Sequence, residues 1–207
     1  MTVKKFIKKK LPPLFSLFEQ MGLAGRLFLL KALPRKSVGV EVGVFQGDFS
    51  ERILKIVQPK KLYLIDPWEF QEQEEVASSR KFGAATEGGH KTIEDRYQMV
   101  CERFRAERED GQVEMIRKYS KEASTHFSPE SIDWVYIDGN HLYEYVKEDL
   151  ELFFPKVKPN GIIAGDDYHD KGWWKGGVKK AVDEFVQTGK VDVVKIAHGQ
   201  FILRKRG

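Results

Sequence analysis

The chain has 207 residues, 41% of them hydrophobic, enough for one domain with a sizeable core. Thirty-five Lys and Arg against 31 Asp and Glu leave a net charge of +4, too small to imply general affinity for nucleic acid. A single cysteine excludes an internal disulfide framework, and no apolar run approaches the roughly 20 residues a membrane span needs.

Lys4, Lys5, Lys8, Lys9 and Lys10 crowd around Phe6 and Ile7 and are followed by Pro12-Pro13. The long apolar centre and small-residue cleavage site of a secretory signal are not in this stretch. Apolar residues between Leu14 and Leu33 suggest one or two short helices. Residues 1–35 therefore read as a basic arm with N-terminal helices, either solvated or in weak contact with an anionic membrane surface. Residues 36–207 read as the main domain. Cys101 falls in an amphipathic helical pattern and reads as a packed thiol of a cytoplasmic, reducing compartment.

The first strand of that domain ends in a glycine turn, Val38-Gly39-Val40-Glu41-Val42-Gly43-Val44-Phe45-Gln46-Gly47, and a helix is predicted over Ser50–Val57. Glycine there makes the turn tight and lets a ligand approach the backbone. Phe45 stands where the dinucleotide fingerprint requires glycine, which counts against a nicotinamide cofactor. Glu41 is an acid inside an apolar strand, placed to meet an amino group of a cofactor. A second strand, Lys61–Ile65, runs into Asp66-Pro67-Trp68. An acid at that tip can accept the hydroxyls of a ribose, and Trp68 offers a stacking face; the alternative is a plain Asp-Pro turn.

Glu69 to Gly89 is polar and glycine-bearing, a candidate flap. Helical spacing resumes over Thr92–Arg108, and Val113–Ile116 is a short strand leading to Tyr119 and Ser120 and a helix over Lys121–Phe127. A strand at Ile132–Ile137, a helix at Glu144–Phe154 and a strand at Gly161–Gly165 then make a βαβ unit, with Pro155, Pro159 and Gly161 breaking the chain before the last strand. A helix over Gly177–Thr188 and two strands turning at His198-Gly199 close the chain.

The βαβ crossover brings the carboxyl ends of its strands to one edge, so Asp138, His141, Asp166 and Asp167 converge there. Three carboxylates at one mouth repel one another unless a cation sits between them, and oxygen ligands select a hard cation such as magnesium, calcium or manganese. His141 can stand off the metal as a general base. The plainer alternative is that these acids cap helices. Trp173 and Trp174, between glycines, either form an apolar wall against a substrate or pack in the core.

Glu41, Gly43 and Gly47, with Asp138 and His141 after the fourth strand and Asp166-Asp167 after the fifth, resemble the class I S-adenosylmethionine-dependent methyltransferases over roughly residues 36–205. Within them the chain is most similar to the branch labelled methyltransferase family 24 and to metal-dependent macrocin-type sugar O-methyltransferases. The resemblance implies an α/β, Rossmann-like, seven-stranded, mostly parallel sheet with helices on both faces and an antiparallel C-terminal hairpin strand. It implies S-adenosylmethionine bound by Glu41, Gly43, Phe45, Gln46, Gly47, Ser50, Asp66, Trp68, Tyr119, Ser120 and Asp138. It implies magnesium on Asp138, Asp166 and Asp167, His141 as base, and a hydroxylated small molecule near Tyr168, His169, Trp173 and Trp174. The Asn/Asp-Pro-Pro-aromatic motif of amino-group methyltransferases is replaced by Asp138-Gly139-Asn140-His141. A nicotinamide oxidoreductase and a non-catalytic S-adenosylmethionine-binding protein are the rival readings.

Overall fold

The computed structural model of the chain describes residues 26–69 and 89–207. The basic arm and the candidate flap fall almost entirely outside these residues. A seven-stranded sheet forms the centre, in the order β3-β2-β1-β4-β5-β7-β6. β1 (Val38–Val42), β2 (Lys61–Ile65), β3 (Val113–Ile116), β4 (Ile132–Ile137) and β5 (Val157–Gly165) are parallel, as the short β-branched and aromatic runs require when both faces are buried. β7 (Gln200–Lys205) pairs antiparallel with β5, and β6 (Val191–Ala197) pairs antiparallel with β7 at the sheet edge. His198 (φ 53°) and Gly199 (φ 76°) form the two-residue turn between them, with both residues left-handed as a tight hairpin requires.

Helices cover both faces because alternate strand residues are apolar on both sides. On one face lie α1 (residues 26–32), α2 (Asp48–Ile56) and α3 (Gly89–Arg103), contributing Leu29, Leu30, Phe49, Ile53, Ile93 and Val100. A one-turn helix, α4 (Arg105–Glu109), follows α3. On the other face lie α5 (Ser120–Ser124), α6 (Tyr143–Phe153) and α7 (Gly177–Gln187), contributing Ala123, Val146, Leu150, Phe153, Val178, Val182 and Phe185. Burying an aliphatic or aromatic side chain of this kind stabilises by about 1.5–3 kcal/mol, so the two layers fix the position of every strand end.

Two of the boundaries that differ from expectation have a clear physical cause. The helix predicted over Thr92–Arg108 breaks at Phe104 (φ −108°, ψ 24°), whose ring is buried in the core and holds the chain out of helical geometry. β5 starts at Val157 rather than Gly161. It accommodates Pro159 and Asn160 (φ 62°) through a register shift opposite β4, where the missing N–H of proline costs no ladder bond.

Register decides what meets at the functional edge. Val42 lies opposite Ile65 and Ile137, and Ile137 opposite Gly165. The residues that follow, Gly43, Asp66, Asp138 and Asp166, therefore leave the sheet side by side. This is also where strand order reverses between β1 and β4, the usual place for a ligand in an open α/β sheet.

Candidate active site

Gly43 (φ 90°) lets β1 pass directly over the tip of β4; a Cβ there would stand 2.0 Å from the carbonyl oxygen of Asp138. The turn beyond it is braced by Asp66. One Asp66 oxygen accepts the N–H groups of Val44 (3.0 Å) and Phe45 (2.9 Å), and the other accepts the Trp68 N–H (2.8 Å). Burial pushes its pKa up against those three bonds. Trp68 is 4% exposed, donates its indole N–H to the Phe45 carbonyl (3.0 Å) and packs on Tyr97. Asp66 thus holds the turn in shape and has one lone-pair site left over. Trp68 is a packed brace rather than the open stacking face expected of it.

A cavity of about 540 Å³ opens above this edge, a volume suited to a nucleoside-sized ligand. Of the residues expected at a cofactor, Gly43, Phe45, Asp66, Trp68, Tyr119, Ser120 and Asp138 line it. Glu41, Gln46, Gly47 and Ser50 do not. The Gln46 carbonyl is held by Arg103 on α3 (2.9 Å), and Gly47 (φ 80°) caps α2. Arg96, Tyr145, Asp149 and Trp173 also line the cavity, and the first three were not singled out from sequence.

Glu41 does not reach the cavity wall and faces Ser50 on α2 instead. It is 1% exposed, lies beside the Ser50 hydroxyl, and its Oε2 has no hydrogen-bond partner among the described residues. Burial raises its pKa to about 8. The folded protein therefore keeps a proton that the unfolded chain releases near its ordinary value, and between about pH 4.5 and 8 this group makes stability fall as pH rises. Glu41→Gln is expected to flatten that slope, with a higher urea midpoint than wild type at pH 8 and little difference at pH 5. An unchanged difference between the two pH values would show that Glu41 ionises freely in the fold.

The second half of the site is a cluster of charge. His141 lies between two carboxylates, with Nδ1 3.0 Å from Asp167 Oδ2 and Nε2 3.4 Å from Asp138 Oδ1. Burial opposes its charge, but the two carboxylates outweigh it and raise the pKa to about 9, so the imidazole is protonated at neutral pH. His141, His169 and Arg26 in turn overcome the burial of Asp167 and hold its pKa below the ordinary carboxylate value. Asp167 takes a left-handed backbone (φ 58°), a conformation common at functional sites and tolerable for Asp. Ligand atoms of Asp138, His141 and Asp167 lie within 4.8 Å of one another, the spacing a bound metal ion can bridge.

Asp166 stands apart from that trio, contrary to the expectation that it completes a carboxylate triad with Asp138 and Asp167. Its Oδ1 accepts from the Gln200 amide and its Oδ2 contacts the Arg26 guanidinium. Arg26, on α1, also reaches Asp138 (3.4 Å) and lies over the Phe49 ring. No sequence motif marks Arg26; it joins the site only because α1 folds across the end of the sheet.

Around His141 the aromatic residues form a wall. Trp173 stacks on it (6.0 Å, 18°) and Trp174 meets it edge-on (5.0 Å, 87°). Trp173 also lines the cavity, whereas Trp174 packs into the core and against His169. His169 Nε2 is 3.3 Å from Asp167. Tyr168 turns away, donating its hydroxyl to Asp183 on α7 (2.5 Å), which moves it out of the expected substrate position.

Residues 40–168 match the family model described as a methyltransferase domain, more than half of the chain. The chain belongs to this methyltransferase-domain family. A relative of this methyltransferase-domain protein is an uncharacterised protein of Acanthamoeba polyphaga mimivirus, 28% identical over 163 residues. That match covers 75% of the chain and 63% of the viral protein's length. Among solved structures it resembles the N-methyltransferase NodS from Bradyrhizobium japonicum in complex with S-adenosylhomocysteine (TM-score 0.57, 13% identity, 92% of this chain and 87% of that one). It also resembles a Staphylococcus aureus protein described as a caffeoyl-CoA O-methyltransferase (TM-score 0.56, 15% identity, 95% and 85%). These likenesses establish the fold of the methyltransferase domain. No helix among its described residues is long and apolar enough to cross a membrane.

Proposed function

We propose that the protein transfers the methyl group of S-adenosylmethionine to a hydroxyl of a sugar or other small molecule carrying a vicinal diol, with a divalent cation, magnesium by preference. The observation that carries this reading is the double position of Asp138: it lines the nucleoside-sized cavity and faces His141, which Asp167 flanks on its other side. Donor and acceptor sites therefore share a wall, as direct transfer requires.

Asp138 and Asp167 would hold the cation, with Asp166 at the edge of the set and waters or substrate oxygens completing the shell. When bound, such an ion lowers the pKa of a coordinated hydroxyl. The chain's own residues do the rest. The cavity would hold the donor beside Asp138, next to the acceptor, where proximity would supply much of the rate. The donor, when bound, would supply the electrophilic methyl group, and the proton of the acceptor hydroxyl would pass to an imidazole nitrogen of His141. To accept it His141 must first be neutral, and neutralising Asp138 and Asp167 removes the charges that raise its pKa. Trp173 excludes water from one side of the ring.

Manganese titration followed by its paramagnetic resonance signal tests the cation set. Asp167→Asn is expected to weaken binding more than about 10-fold, at least the loss that changes beside a metal site cost. Equal affinity in wild type and variant would remove Asp167 from the set. The activity test is transfer of labelled methyl from S-adenosylmethionine to paired acceptors, one a vicinal diol and the other its singly blocked analogue. Transfer confined to the diol and abolished by EDTA is expected.

The contacts of Arg26 with Asp138 and Asp166 support one other reading, in which the guanidinium is the resident cation and transfer is metal-independent. Full activity in EDTA, lost in Arg26→Gln, would favour it.

A further inference from the structure

Arg26 stands where the proposed cation would have to act. Its guanidinium, at the start of α1, bridges Oδ2 of Asp138 (3.4 Å) and Oδ2 of Asp166, and it keeps its charge at any pH the fold tolerates. Both oxygens of Asp138 are then taken, because its Oδ1 faces His141 Nε2 at 3.4 Å. Asp166 is engaged on both oxygens too, by the Gln200 amide at Oδ1 and by Arg26 at Oδ2. The acid cluster therefore already contains one cation, supplied by the chain itself.

A divalent ion that takes Asp138 has to displace one of these two partners. His141 is the harder to move: its side chain is 8% exposed, Asp167 holds its other nitrogen at 3.0 Å, and Trp173 and Trp174 pack on its ring. The Arg26 side chain is 29% exposed and its neighbour Leu27 is 39% exposed, so the guanidinium has water to move into. Leu29, Leu30 and Leu33 are buried and keep the rest of the helix seated when Arg26 leaves. A dication a few ångström from a guanidinium repels it more strongly than a partly exposed ion pair holds it.

We infer that Arg26 is a displaceable counter-ion: it neutralises Asp138 while no divalent cation is bound, and a cation taking Asp138 pushes it off and unlatches the start of α1. The inference rests on the cation reading of Asp138 and Asp167. It gives the neighbouring acids separate tasks, with Asp167 facing the ion and Asp166 docking the guanidinium, which accounts for Asp166 standing apart from the trio. Once Asp138 is lost to it, Arg26 is held by Asp166 alone, a single ion pair, and spends more of its time in water. A monovalent ion gains little by replacing a guanidinium of equal charge, so the exchange favours divalent ions.

Manganese titration by paramagnetic resonance, on wild type and on Arg26→Gln, reads the competition. The variant should bind manganese at least about 10-fold more tightly, because a unit charge has been removed beside a dication. Tryptic digestion of wild type, with the fragments identified by mass, reads the displacement and needs no variant. Saturating manganese should speed cleavage after Arg26 by about fivefold or more, since proteolysis follows the population of the open form, and should leave cleavage after Lys31 of the same helix unchanged. Potassium chloride at the same ionic strength should not reproduce the difference. Equal or weaker binding by a folded Arg26→Gln would overturn the inference, as would manganese bound by wild type without faster cleavage after Arg26, or potassium acting as well as manganese. Each of those results leaves the cation reading standing, whereas binding by neither protein would overturn both.

Discussion

His141→Ala is expected to reduce turnover about 10²–10⁴-fold while S-adenosylhomocysteine binds with unchanged affinity, the loss typical of a positioned general base. The separation follows from position. His141 does not line the cavity; Asp138 and Trp173, which do, lie against it. Removing the imidazole leaves Asp138 and Asp167 facing each other at close range, so the variant should also bind divalent cations at least as tightly as wild type. His141→Gln keeps hydrogen-bonding reach but cannot take a proton at neutral pH, and should be as slow as His141→Ala. If His141→Gln retained most of the turnover, the side chain would be an orienting group and proton removal would belong elsewhere. Steady-state kinetics with a fixed diol acceptor, alongside calorimetry, reads both quantities.

Gly43→Ala is expected to cost about 3 kcal/mol, combining a left-handed backbone with overlap in a packed site. The overlap is with backbone, the Asp138 carbonyl at 2.0 Å, so no rotamer change relieves it. Either β1 or the tip of β4 must move, and Asp138 moves with the latter. For a chain of this size the melting temperature should fall by about 10 °C. Cofactor affinity and cation affinity should fall together, because both depend on where Asp138 stands. Gly111→Ala is the control. It shares the left-handed backbone (φ 82°) but has nothing within 4 Å of the added methyl, so only the backbone cost of about 1 kcal/mol applies. A Gly43→Ala variant no less stable than Gly111→Ala would mean that the β1–β4 approach is looser than this geometry.

The sheet was legible in the sequence because its strands are short apolar runs closed by Gly, Asp or Pro, and because a parallel crossover has one allowed hand. The same logic placed Gly43, Asp66, Asp138 and Asp166 at one edge, and the His198-Gly199 turn between β6 and β7. What a side chain does at that edge was less legible, since it depends on which face of the sheet it leaves. Glu41 occupies the strand position expected of a cofactor ligand, yet strand alternation turns it to Ser50 on α2 and toward Arg26 on α1, and it does not line the cavity. Asp66 spends three lone-pair sites on backbone N–H groups, and nothing in an Asp-Pro-Trp string announces that. Asp166 and Asp167 are adjacent in sequence, but the left-handed turn at Asp167 sends one carboxylate to Arg26 and Gln200 and the other to His141.

Neither Arg26 nor Asp149 falls in a motif. Arg26 belongs to an N-terminal helix far from the acids in sequence, and only tertiary packing brings its charge to them. Asp149 shares the buried face of its helix with Val146, Leu150 and Phe153. A buried polar residue on an otherwise apolar face is the one pattern that would have flagged it. Trp173, by contrast, followed from its place just beyond the acid pair, and it does stand against His141.

The central claim is spatial: donor cavity and charge cluster form one site that meets at Asp138. A crystal structure of the protein with S-adenosylhomocysteine and manganese, with anomalous scattering locating the ion, tests it most directly. The expected result is the adenine beside Tyr119 and Ser120, the sulfur near Asp138, and an anomalous peak bound by Asp138 and Asp167. A nucleoside seated away from the cavity, or manganese bound at a place remote from both carboxylates, would contradict it.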